Sequence, residues 1–292
     1  MREVRPGVWH WQSPHPDWNE EQWWPELVSS YAIGLGDDFV LFDPLAVPHE
    51  LLERATAVVL TAPYHERDAR GLRLPIHTPP ADTWQDWVAK FGIDPERVRG
   101  MESDDLAWLR AGEGEGHFHE PGPWPFGLTA YAGREDNDLI LWLPSIDAIV
   151  TGDSLSDFGD GLGIQLGGRK HVTEQDVAAR LRPLLDLPVE LVLPAHGEPT
   201  DRAALERALA RLAQRSTRRA ARGLRGAHRA ERRALAGGRP ALRRDSLRVG
   251  LDRSRAARAA EQRDAARERS GDDVVVGRVR DPRFLTHACQ RA

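Results

Sequence analysis

The sequence predicts a four-layer α/β sandwich over residues 1–215, two packed sheets with helices outside, followed by an Arg/Ala-rich tail at 216–292. Three observations lead there. Short apolar strand candidates come in two series, and each series is followed by segments with helical start signals. All ten tryptophans lie at or before Trp142, so the large core-forming side chains are concentrated in the first part. Charge divides in the same way: residues 1–215 carry 19 Lys and Arg against 36 Asp and Glu, net −17, whereas residues 216–292 carry 21 Arg, no Lys and 9 acids, net +12.

The elements follow in order. "SSYAIGL" (29–35), a Gly-Asp-Asp turn and "FVLFDP" (39–44) predict an antiparallel hairpin. "AVVLT" (57–61) is a strand too apolar to have a solvated face. Thr83 with Asp86 three residues on predicts a capping box before "WVAKF". "GLTAYA" (127–132), "DLILWLP" (138–144) and "AIVTGD" (148–153) are three consecutive strands separated by turns at Asn137 and 145–147. Thr173 with Asp176 caps a helix through "VAARLRPLL", "ELVLPAHG" (190–197) is the last strand, and Pro199 and Asp201 introduce a final helix. The tryptophans at 9, 11, 18, 23 and 24 either bury the N-terminal segment on a sheet or form a lid over a pocket.

A single cysteine, Cys289, excludes an intrachain disulfide and a cysteine zinc site. No window reaches the length of a membrane span, and the N-terminal residues lack a signal-peptide core, so a soluble cytoplasmic protein is expected. The tail has three competing readings: a basic segment that binds nucleic acid or another polyanion, a solvated helical extension, or translation of high-GC DNA in the wrong frame. Of Phe, Tyr, Met, Ile, Asn and Lys together it holds one residue, Phe284, which is what the third reading predicts. Its basic charge lacks interleaved aromatics or any nucleic-acid motif.

Four segments carry the functional signal: "FVLFDP", "VVLTAPYHERD", "AIVTGDSL" and "LVLPAHGEP". In that order they resemble the metallo-β-lactamase-fold superfamily over roughly residues 5–212. The resemblance implies an αββα sandwich with a metal site at one edge of the two sheets. It also implies hydrolase chemistry in which one or two metal ions, commonly zinc, activate water. The family pattern after the strand is T-H-x-H-x-D-H. Aligned on Thr61, this chain has Ala62 for the first His, Tyr64 for the second, Glu66 for the Asp and Arg67 for the third His, with His65 one position off the pattern. A further family His follows a Gly, and here Gly133 is followed by Arg134. Asp153 sits at the metal-bridging position and His196 at the final His.

The resemblance therefore implies a degenerate, metal-poor or metal-free site. The first metal position has lost all three imidazoles. The second retains Glu66, Asp153 and His196 as vestigial ligands, with Arg67 in place of the fourth; a guanidinium has no lone pair to give. Zinc or another divalent ion at this one position is the alternative to no cofactor. In the metal-free case Arg67 and Arg134 supply the positive charge that the carboxylates need, which places one of them within hydrogen-bonding distance of Asp153. Tyr64 and His65 complete the predicted anion-binding pocket. Asp43 is expected to hold a loop through backbone hydrogen bonds. His117 and His119, an H-x-H in a Gly-rich loop, are too few for a metal site.

Two function classes follow. One is a divergent single-metal hydrolase acting on an ester, thioester, amide or phosphate bond. The other is a non-catalytic member that binds a small anionic ligand or partner, or serves as a scaffold. The Trp-rich N-terminal segment could contribute to a homodimer contact, and no membrane partner is expected.

Overall fold

The computed structural model describes residues 1–98 and 116–210, and the tail lies outside them. The first sheet holds β1 (Arg2–Arg5), β2 (Val8–Pro14), β3 (Leu27–Leu35), β4 (Asp38–Phe42), β5 (Ala57–Val59), β6 (Ile76–Thr78) and β7 (Gly116–Phe118), side by side in that order. The pairings are antiparallel from β1 to β4 and parallel from β4 to β7. The chain continues through β8 (Gly122–Pro123), β9 (Thr129–Glu135), β10 (Asp138–Leu143) and β11 (Ala148–Gly152). A small ribbon of β12 (Leu155–Ser156) and β13 (Gly163–Ile164) follows, then β14 (Leu191–Pro194) and β15 (Thr200–Asp201). The second sheet is ordered β15-β14-β11-β10-β9-β8, with β11 and β14 parallel.

Three apolar clusters define the layers. Val8, Ile33, Val40, Phe42 and Val59 of the first sheet meet Leu139, Leu141, Val150 and Leu193 of the second, so the sheets pack face to face. The far face of the first sheet, with Trp11, Ala32, Leu41 and Val58, is covered by Leu51 of α1 (His49–Leu52) and Ala69 of α2 (Ala69–Leu72). Two further helices are α3 (Trp84–Phe91) and α4 (Pro95–Val98). The far face of the second sheet, with Ile140, Trp142, Ile149 and Val192, is covered by Val177 and Leu181 of α5 (Glu174–Leu181) and by Leu205 and Leu209 of the helical residues 202–210. The order is helix, sheet, sheet, helix, the predicted αββα sandwich.

Local chemistry accounts for the boundaries. The β3–β4 hairpin turns at Gly36, whose φ of 67° favours glycine. Both predicted capping boxes form: Thr83 and Asp86 open α3, and Thr173 and Asp176 open α5. Two strands were not among the sequence candidates. The tryptophan-bearing residues 8–14 are a strand, because Val8, His10 and Trp11 turn into the protein. Residues 116–118, read as part of a Gly-rich loop, form the edge strand β7.

Candidate functional site

Parallel strands deliver their following residues to one edge, and both sheets contribute parallel pairs there. Asp43 follows β4, Thr61 follows β5, Asp153 follows β11 and His196 follows β14. The two sheets are joined at this edge by hydrogen bonds from Leu139 N–H to the Thr61 carbonyl (2.8 Å), from Ser29 N–H to the Ala195 carbonyl (2.7 Å) and from the Tyr31 hydroxyl to the Pro194 carbonyl (2.8 Å). Gly152, with φ 51°, allows the approach: a Cβ there would meet Thr61 Oγ1 at 2.8 Å. Asp43 and Arg67 also have positive φ, at 45° and 43°, so the backbone is strained in the two first-sheet loops at this edge.

Asp43 does more than hold its loop. It accepts from the Thr61 N–H (2.8 Å) and hydroxyl (2.6 Å), and its Oδ2 lies 3.0 Å from His65 Nδ1. His65, 4% exposed, stands at the end of a short 3-10 turn (Pro63–His65), which swings its ring between two carboxylates. Its Nε2 is 3.3 Å from Asp153 Oδ1. Burial opposes the charge on His65, but Asp43 and Asp153 outweigh it together and raise its pKa to about 9. The ring is therefore an imidazolium at neutral pH. Asp43 is held below the usual carboxylate range against the cost of burial, chiefly by His65.

Among the described residues Arg134 is the largest fully buried side chain, 1% exposed. It is there because Gly133 precedes it: a Cβ at that glycine would run into the Ser154 side chain and the Asp138 carbonyl. Its Nε donates to Asp138, Nη1 to the Gln165 carbonyl (3.2 Å), and Nη2 to Tyr64 Oη (2.6 Å) and Asp153 Oδ2 (3.0 Å). Tyr64 in turn donates to Asp138 Oδ2 (2.9 Å), so its hydroxyl is committed although the residue is partly exposed. The expected arginine contact with Asp153 is made by Arg134. Arg67 instead donates through Nη1 to the carbonyls of Ser29 (3.1 Å) and Asp43 (2.7 Å).

Asp153 faces His65, Arg134 and His196; they hold its pKa well below the usual value although burial works the other way. Its Oδ1 is buried without a well-formed hydrogen bond, 3.3 Å from His65 Nε2 and 3.5 Å from His196 Nε2. Burial dominates at His196 and lowers its pKa to about 4, so this ring is neutral. His196 is covered by Trp24 (5.6 Å between ring centroids) and Phe158 (5.3 Å). Trp24 also meets His15 edge-on, and Trp23 packs on Phe158. Of the N-terminal tryptophans, Trp11 is in the core, as the burial reading expected, and Trp24 packs against His196.

A divalent ion needs three or four convergent N, O or S donors. Among the described residues no group of three His, Cys, Asp or Glu side chains is arranged to hold one, so Glu66 does not complete a ligand trio with Asp153 and His196. One oxygen of Asp153 is already taken by Arg134. Sequence reasoning missed Asp138 and the charge role of Asp43. Asp138 is fully buried at the start of β10, and the one signal for it was a charged residue heading an apolar run.

No protein-family model matches the chain, and no curated protein matches it. Among solved structures it is similar to a metallo-β-lactamase family protein of Thermus thermophilus, at 15% identity over 74% of this chain and 81% of that one, with a TM-score of 0.48. It is similar also to a metallo-β-lactamase from Pontibacter korlensis, at 15% identity over 72% of this chain and 96% of that one, TM-score 0.47. A third is TTHA1623 in a di-iron-bound form, at 22% identity over 64% of this chain and 96% of that one, TM-score 0.43. Among the described residues no helix is long and apolar enough to cross a membrane. The helix–sheet–sheet–helix order, and the four sequence motifs meeting at one edge of the facing sheets, are the αββα architecture that the resemblance to the metallo-β-lactamase-fold superfamily implies.

Proposed function

We propose that this hydrolase-like protein has a metal-free site, in which side-chain cations hold the buried carboxylates that a metal would otherwise bridge. The observation that carries this reading is Arg134, fully buried and hydrogen-bonded to both Asp138 and Asp153. The local charges balance: Asp43, Asp138 and Asp153 against Arg67, Arg134 and the His65 imidazolium. A buried group of this kind persists only when every charge has its partner. The balance leaves little surplus positive charge to recruit an anion, which favours a scaffold role over the anionic-ligand role.

One observation favours the second reading, a single-metal hydrolase. Asp153 Oδ1 is buried without a hydrogen bond, and two imidazole nitrogens approach it. A divalent ion bound there would supply an activated water. Elemental analysis of the full-length protein, purified without an affinity tag or chelator, decides between the two. A folded sample holding no zinc, iron or manganese at Asp153 agrees with the metal-free reading. Near one equivalent that is lost in Asp153→Ala overturns it.

A further inference from the structure

We propose a second, separate site at the edge of the first sheet, in which His77, His117 and His119 bind a divalent transition-metal ion of borderline character, such as Zn(II), Ni(II) or Cu(II). His77 on β6 is the register partner of His117 on β7, so the two side chains stand on one face. His119 returns to that face two residues later, and its N–H bonds the Thr78 carbonyl at 3.0 Å. His77 Nδ1 and His119 Nε2 are 2.9 Å apart, one ring donating to the other. The rings of His117 and His119 lie nearly parallel to His77, with centroids at 4.9 and 5.2 Å.

The surroundings suit neutral imidazoles, the form that ligates metals. Phe126 meets His77 edge-on at 5.1 Å, and Trp124 packs against His119 at 4.8 Å. Phe126 is held at φ 61°, a region costly for any residue with a side chain, and this conformation accompanies its contact with His77. Burial, then the other two imidazoles, lowers the pKa of His77 to about 4. Burial and His117 lower that of His119 as well.

Two imidazoles in this pair share a single proton where a metal could take both lone pairs. Nitrogen ligands about 2.05 Å from a tetrahedral ion lie about 3.3 Å apart, so the 2.9 Å pair must open by a few tenths of an ångström, the donating ring must move its proton to its other nitrogen, and both rings must turn so that their lone pairs converge on the ion. The three donors do not converge as they stand, in keeping with the absence of a ready-made three-ligand group among the described residues. His117 is exposed, and its ring can turn to become the third donor by giving up its stack on His77.

The test is a titration of the full-length protein with Zn(II) against a chromophoric chelator, together with the Cu(II) electron paramagnetic resonance spectrum. The proposal expects one equivalent bound, nitrogen hyperfine structure from several imidazoles, and affinity weakened at least about tenfold in both His117→Gln and His119→Gln. Asp153→Ala should bind as the wild type does. Because His117 is exposed, its variant stays informative if the His119 variant fails to fold. No binding, binding indifferent to His117→Gln, or binding lost in Asp153→Ala would each overturn the proposal; the last would overturn the metal-free reading as well. Metal lost only in the histidine variants leaves that reading intact.

Discussion

Arg134 has no route to solvent, so its energetics are set by what it touches: Asp138, Asp153, Tyr64 and the Gln165 carbonyl. Removing one partner of a buried ionic group leaves the others uncompensated, which costs about 3–5 kcal/mol. Arg134→Met should therefore lower the stability measured by urea unfolding by about that much, and Arg134→Met combined with Asp138→Asn should recover part of the loss. A single-variant loss under about 1 kcal/mol would mean that water or a bound cation already balances Asp138 and Asp153, and the counter-charge account would fail. The arginine was legible in the sequence because it follows Gly133 where a histidine was expected. His65 was named for the pocket as well, but its place between two carboxylates was not legible, because its off-pattern position says nothing of the 3-10 turn that swings the ring inward.

At the scale of elements, local chemistry predicts what packing then uses. α5 is two turns long and buries Val177 and Leu181 against the second sheet, so its start must be fixed for those side chains to meet Ile140 and Val192. Thr173 fixes it, accepting from Asp176 N–H at 3.2 Å while the Asp176 carboxylate accepts from Thr173 N–H at 2.9 Å. Thr173→Ala should cost about 1 kcal/mol, read as a lower urea midpoint with an unchanged slope. No change would mean that packing alone sets this helix. Strands with apolar runs, such as β10 and β11, and helices with capping boxes were legible for the same local reasons. The strands β6 and β7 were not: each is three residues long and carries a histidine, and their pairing is set by contacts about 40 positions apart in sequence. Asp138 escaped notice for a related reason, since its partners at 64, 134 and 154 come from three different segments.

For the whole molecule, buried and half-buried histidines of opposite behaviour define a pH window. His10, His15 and His196 are each lowered from 6.5 to about 4, chiefly by burial. Between those values the unfolded chain binds protons that the folded chain refuses, so stability from these groups is complete above about pH 6.5 and is lost as pH falls toward 4. His65 works the other way. Raised to about 9 by Asp43 and Asp153, it contributes fully below its unfolded value of 6.5, and that contribution is lost as pH rises through 9. Asp43 and Asp153, both depressed, add a further loss only once pH falls below their unfolded value of 3.8. The wild-type protein should therefore be most stable slightly below neutrality and weaken on both sides. Urea midpoints measured at pH 5, 6.5 and 9 test this, and His65→Gln separates the two limbs. The variant should lose the alkaline decline and keep the acid one. An alkaline decline that survives the substitution would show that His65 is neutral between its two carboxylates, and the charge balance of the site would have to be drawn without it.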